Sequence, residues 1–189
     1  MVRMARLPVA IGMLLLIGGC SDITVEYDYD PAYDFSKLRT FDWLPIPVKP
    51  EISQLSVRRI KSAVTEELQA KGFRQTSSKP DFTIAAHIMK EEKVDVRSWG
   101  YCYGPTRRYR HWGYYGEPIA APPQIDTFRY EEGTLILDFV EAKSKEMIWR
   151  GTAKRVLDPG GTPEEHEKAV HEVAGKILEN FPPTPKGKK

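Results

Sequence analysis

The sequence predicts an α+β fold, a two-layer sandwich in which a mostly antiparallel sheet carries two helices on one face. Three observations point there. Two segments place apolar residues at intervals of three and four, Val57, Ile60, Val64 and Leu68, then Val170, Val173, Ala174, Ile177 and Leu178, so each helix has one dry stripe. Other segments alternate apolar with polar residues, the period of a strand wet on one side. Short polar turns between the later strands argue for an antiparallel meander. A hydrophobic content of 41% is ordinary for a globular chain of this length, so a single domain over residues 20–181 is the economical reading.

A separate segment precedes that domain. Arg3 and Arg6 lead into an apolar run from Leu7 to Gly19, followed by Cys20. A basic start, an apolar stretch and small residues before a cut site make residues 1–19 a secretory signal peptide. As a helix the run would span about 20 Å, well short of the ~30 Å hydrocarbon core of a bilayer. Its removal takes away two arginines and leaves 26 basic and 26 acidic side chains. That balance argues against a nucleic-acid partner, which calls for a basic excess.

The elements follow in order. Ile23 to Tyr29 alternates without a break and reads as the opening strand, interrupted by Pro31. Thr40 to Leu44 is a second extended piece, ended by Pro45, Pro47 and Pro50. The first helix follows, with Ser53 or Ser56 as its cap and Gly72 at its end. Phe82, Ile84, Ala86 and Ile88 mark the next strand, which continues through Val94 to Arg97 as a ribbon beyond the sheet. From Ser98 to Pro123 the pattern dissolves into a loop longer than compact domains ordinarily carry. Gln124 to Tyr130 is extended again, Glu131-Glu132-Gly133 reads as a turn, and Thr134 to Ala142 as a strand. A second turn at Lys143 to Glu146 returns the chain through Met147 to Ala153. Thr162-Pro163-Glu164-Glu165 has the form of a capping box, which starts a helix from Pro163 to about Asn180. Pro182 and Pro183 stop it, and residues 182–189 are expected to be a disordered tail.

The loop at 98–123 is the local departure that asks for a functional account. It holds Trp99, Tyr101, Tyr103, Tyr109, Trp112, Tyr114 and Tyr115, with Arg107, Arg108 and Arg110 among them. Flat amphipathic rings and guanidinium groups hold sugars, peptides and protein hot spots, so these residues are the candidate partner-binding set. The alternative is that the rings pack back as a lid or lie at the level of lipid headgroups. Elsewhere the chemistry is sparse. His166 and His171 are five apart rather than four, and so do not share a helical face as a zinc pair must. No metal ligand set, phosphate loop or nucleophile elbow is present, and no cofactor is implied. Asp126, Asp138 and Glu141 are carboxylates that the fold alone can bring together or keep apart.

Two resemblances add to this reading. Ile17-Gly18-Gly19-Cys20 resembles the lipobox of bacterial lipoproteins, which implies cleavage before Cys20 and acylation of its thiol and new amino group. Ser21 after the cysteine implies the outer membrane, facing the periplasm. With Cys20 acylated, Cys102 has no partner for an internal disulfide. Tyr29-Asp30-Pro31, Thr40-Phe41-Asp42-Trp43, Lys71-Gly72-Phe73, Pro80-Asp81-Phe82, Gly133-Thr134-Leu135 with Asp138, and Trp149-Arg150-Gly151 together resemble the DUF4136 family of bacterial lipoproteins. That likeness covers about Val25 to Phe181. It implies an exported, lipid-anchored α+β domain and assigns no catalytic residue. A noncatalytic binding or assembly module of the cell envelope is the expectation, with an envelope protein or glycan as partner; the alternative is an enzyme acting on peptidoglycan or glycolipid.

Overall fold

The computed structural model describes residues 23–47, 49–99 and 124–183. The signal peptide at 1–19, Cys20, loop residues 100–123 with Cys102, and residues 184–189 lie outside the described residues. Of the candidate binding set, Trp99 alone is described, as the last residue of a strand; Tyr101, Tyr103, Arg107, Arg108, Tyr109, Arg110, Trp112, Tyr114 and Tyr115 lie outside.

The chain runs β1 (Ile23–Tyr29), a single turn of 3-10 helix (Phe35–Lys37), β2 (Thr40–Trp43), α1 (Gln54–Ala70), β3 (Arg74–Gln75), β4 (Phe82–Trp99), β5 (Gln124–Glu141), β6 (Met147–Leu157) and α2 (Pro163–Leu178). These strands form one open sheet in the order β1-β6-β5-β4-β2-β3. The β4, β5 and β6 meander is antiparallel and β1 joins β6 antiparallel, whereas β2 runs parallel to both β4 and β3. The parallel pairs arise because α1 carries the chain across the sheet between β2 and β4. Both helices lie on one face, as the α+β sandwich requires.

Local signals set the helices. Ser53 caps α1, its side chain accepting from the Leu55 amide, and Gly72 takes a φ of +91° just past the helix, where a side chain would be strained. Thr162 and Glu165 complete a reciprocal capping box, with Pro163 at the first helical position. α2 ends at Leu178, two residues before the expected end.

Alternation along the strands decides which side chains meet the helices. Phe41 and Trp43, Phe82, Ile84 and Ala86, Leu135, Leu137 and Phe139, and Trp149 and Ala153 all face Ile60, Val64 and Leu68 of α1 or Ala174, Ile177 and Leu178 of α2. Phe181, just beyond α2, is 1% exposed and sits at the centre. Its ring centroid lies 4.5 Å from Phe139, 5.3 Å from Trp149, 5.4 Å from Phe73, 5.8 Å from Phe82 and 6.2 Å from Phe35. Gly151 gives the Trp149 indole room to lean along its own strand. A Cβ there would collide with that ring and stand 2.8 Å from Ile177.

Two polar contacts fix the end of the sheet where β4 starts and β5 finishes. Asp81 Oδ2 accepts from the Arg39 and Thr40 amides at 2.9 and 2.8 Å and from the Thr40 hydroxyl at 2.8 Å, pinning the start of β2 to that of β4. Tyr33 donates its hydroxyl to Glu141 at 3.0 Å, and burial together with that carboxylate pushes its pKa up to about 12.

One expectation is corrected. Glu131-Glu132-Gly133 does not turn; β5 is a single strand from Gln124 to Glu141 that pairs with β4 along its whole length. The glycine serves close packing instead, because a Cβ on Gly133 would lie 2.8 Å from the Leu157 side chain that covers it. The facing pairs Glu91–Glu132 and Glu92–Glu131 repel, but Lys90 reaches Glu131 at 2.8 Å, Lys93 reaches Glu91 at 2.6 Å and Arg129 reaches Glu92 at 3.3 Å. β4 and β5 therefore run on as the expected ribbon. β4 runs two residues beyond the expected start of the loop, since Ser98 and Trp99 still pair with Ile125 and Gln124, and β5 begins at Gln124 as expected.

Phe181→Ala is expected to lower unfolding free energy by about 3–5 kcal/mol, measured by chemical denaturation. Asp81→Ala is expected to cost about 2 kcal/mol at neutral pH, through lost hydrogen bonds to a charged group. Burial alone would raise the Asp81 pKa, but its backbone and hydroxyl donors outweigh this and hold it below the usual carboxylate range. A lowered folded pKa means that this stabilisation is present above the unfolded value, about 3.9, and fades as pH falls through the folded value. The difference between wild type and Asp81→Ala is therefore expected to shrink below about pH 4, read from denaturation midpoints at several pH values.

Candidate functional site

Two surfaces of the sheet invite a functional reading. The first is the face that the helices leave uncovered. Alternation places Thr83, Ala85, His87 and Met89 of β4, Thr134, Ile136, Asp138 and Val140 of β5, and Arg150, Thr152 and Lys154 of β6 on it. Asp138 is 7% exposed, although it sits on an open face. Arg150 lies directly opposite in β6 and grips it with both arms, Nε donating to Oδ1 at 2.5 Å and Nη2 to Oδ2 at 2.7 Å. That hydrogen bonding holds the guanidinium still more firmly protonated, against the effect of burial. His87 Nε2 stands 3.5 Å from Asp138 Oδ2, across the diagonal from β4.

This cluster joins three adjacent strands, and its chemistry is that of a clasp. Both oxygens of this carboxylate are engaged by the arginine, and no second carboxylate among the named candidates stands beside it. Asp126 lies twelve residues along the same strand, about 40 Å away. Glu141 falls on the other side of the sheet by alternation and is held by Tyr33. The three carboxylates thus do not converge. Among the described residues no group of three or more His, Cys, Asp or Glu is placed to hold a metal. His166 Nε2 lies 3.0 Å from the Asp158 carbonyl, and His171 lies 3.9 Å from Glu66 of α1.

The second surface is the ribbon. β6 pairs with β5 only as far as Glu131, so Lys93–Trp99 and Gln124–Tyr130 continue for about 20 Å with no third strand among the described residues. A bare two-stranded ribbon is marginally stable in water, and this one exposes apolar side chains on both faces. On the helix side, Val94, Val96 and Ile125 are 55%, 60% and 63% exposed. On the opposite side Asp95, Phe128 and Tyr130, with Val156 at the end of β6, line an open groove of about 400 Å³. Such a groove is of ligand size and combines apolar walls with one carboxylate. The sequence placed its candidate binding residues in the segment that follows this ribbon, of which Trp99 alone is described. The alternation of Val94 and Val96 with charged neighbours marked the ribbon itself, but Val94, Val96, Ile125 and Phe128 were not among the candidate binding residues.

Fold and surface together define a small α+β domain with an open mixed sheet, a helical layer on one face and a projecting ribbon. A family model described as "Domain of unknown function (DUF4136)" matches residues 25–183, and the chain belongs to that family. No curated protein matches it. Among solved structures it is similar to a PDZ domain protein from Parabacteroides distasonis, with a TM-score of 0.53 and 13% identity over 89% of this chain and 37% of that one. The chain therefore spans well under half of that protein, and the likeness is one of fold. A PelC dodecamer from Paraburkholderia phytofirmans matches with a TM-score of 0.46 and 10% identity, covering 82% of this chain and 94% of that chain. A neuraminyllactose-binding hemagglutinin homologue from Helicobacter pylori matches at 0.42 and 14%, covering 84% and 94%.

If the Asp138–Arg150 pair is a clasp, Asp138→Ala lowers unfolding free energy by about 2 kcal/mol, and adding Arg150→Ala changes it little further. A double-mutant cycle by urea denaturation measures this.

Proposed function

We propose that this chain is a lipoprotein of the bacterial cell envelope, cut before Cys20, acylated there with palmitate among its chains, and held at the outer membrane facing the periplasm. Its domain acts as a noncatalytic binding or assembly module. The β4–β5 ribbon and the aromatic, arginine-rich segment that follows it, including Trp99, Tyr101, Tyr103, Arg107, Arg108, Tyr109, Arg110, Trp112, Tyr114 and Tyr115, meet an envelope protein or glycan.

The observation that carries this reading is the ribbon. Its two strands run beyond the sheet with apolar side chains open to water on both faces, an arrangement that is costly for a free monomer and useful at an interface. The groove of Asp95, Phe128, Tyr130 and Val156 supplies a contact surface beside the tip. The anchor rests on the sequence before Ile23, and several acyl chains on one residue hold a protein firmly where a single chain does not. An envelope enzyme is less well supported, because the buried carboxylate on the open face is already neutralised by Arg150.

Radiolabelled palmitate is expected to enter the wild-type protein and not Cys20→Ser. Photocrosslinking residues at Phe128 and Tyr130 are expected to capture a specific envelope component in living cells, whereas the same residue at Thr24 on the far edge captures none. Equal capture at all three positions would remove the ribbon from the proposal.

A further inference from the structure

β1 joins the sheet at Ile23, opposite Arg155, and that row continues through Gly133 to Lys90. From the same end of the sheet the ribbon departs. Cys20 is three residues before Ile23, a tether of at most about 10 Å, whereas the ribbon tip at Trp99 and Gln124 lies about 30 Å beyond the Ile23 row. Acyl chains at Cys20 bring that end of the domain down to the leaflet. With so short a tether the domain cannot turn its ribbon end away from the lipid.

The two faces of the ribbon differ in a way that selects one of them. The helix-side face carries Val94, Val96, Ile125, Thr127 and, at its base, Arg129, with no carboxylate beyond Glu92 and Glu131. Its three aliphatic residues are more than half exposed. The opposite face carries Asp95 and Asp126, and the same alternation places Lys93 and Arg97 on it, four charged residues against none among Val94, Val96, Ile125 and Thr127. An aliphatic face with a single flanking cation can lie on a leaflet at little cost, whereas a face with four charged residues would have to desolvate them.

We propose that the helix-side face of the ribbon, through Val94, Val96 and Ile125, lies on the lipid leaflet that holds the Cys20 acyl chains. This rests on the anchor proposed above. It leaves the Asp95, Phe128 and Tyr130 side turned toward the periplasm for a partner. Three aliphatic residues are a small apolar area, but tethering makes their contact intramolecular, so little intrinsic affinity is needed.

The test uses full-length acylated protein in vesicles of phosphatidylethanolamine and phosphatidylglycerol, with Cys102→Ser and an environment-sensitive fluorophore on a single cysteine at position 96, 125, 95 or 126. Spin-labelled phospholipids are expected to quench the probes at 96 and 125 roughly threefold or more above those at 95 and 126, in line with burial of one face. Val96→Asp is expected to relieve quenching at 125 while the protein still floats with the vesicles. Equal or absent quenching on both faces of a protein that floats overturns the proposal and leaves the anchor standing. A probe at 125 that is shielded from water without lipid quenching indicates a protein partner or second copy and also overturns it. Failure to float removes the anchor, and the proposal falls with it.

Discussion

The ring of Phe181 is the point on which the fold closes. It lies just beyond α2, yet it touches the turn after β1 through Phe35, the segment after α1 through Phe73, and β4, β5 and β6 through Phe82, Phe139 and Trp149. Aromatic pairs contribute beyond the area they bury, and here one ring takes part in five. Remote parts of the sequence are tied together only when α2 docks. The Trp149 indole, which shares this cluster, has no hydrogen-bond partner for its buried Nε1 among the described residues, so packing outweighs the cost of burying that donor.

That single-sided core explains the character of the other face. With both helices on one side, the opposite side of the sheet must be made tolerable to water residue by residue. It manages this with threonines, with lysine and histidine, and with the Asp138–Arg150 pair spanning neighbouring strands. A bidentate pair across adjacent strands specifies register, since a slip by one residue would send Asp138 into the core and Leu137 into water. Its position under the guanidinium accounts for its burial on an open face, without a call for catalysis.

The ribbon obeys a different constraint. Inside the sheet β5 lies between β4 and β6 with a helical layer on one side; past Glu131 it keeps β4 alone, and the apolar side chains that continue the pattern stand in water. Surfaces of that kind persist when another surface meets them. The proposed anchor at the same end of the domain would supply a lipid surface within reach, and the charged residues of the far face favour water on that side. Membership of the DUF4136 family names neither a partner nor an activity.

Periodicity and local chemistry in the sequence determined a great deal. The stripes of α1 and α2, the Thr162 capping box, Gly72 past the first helix, and the opening strand from Ile23 to Tyr29 all follow from residues a few positions apart, and local backbone preferences settle them. Glu131-Glu132-Gly133 shows where that logic stops. The same three letters suit a turn or a packed strand, and only Leu157, distant in sequence, decides by lying over the glycine. The parallel placement of β2 beside β4, the meeting of Asp138 with Arg150 and His87, and the separation of Asp126 from Asp138 were likewise set by tertiary structure. Contacts between residues far apart along the chain leave no periodic trace, because each residue's own neighbours do not encode which strand will lie beside it.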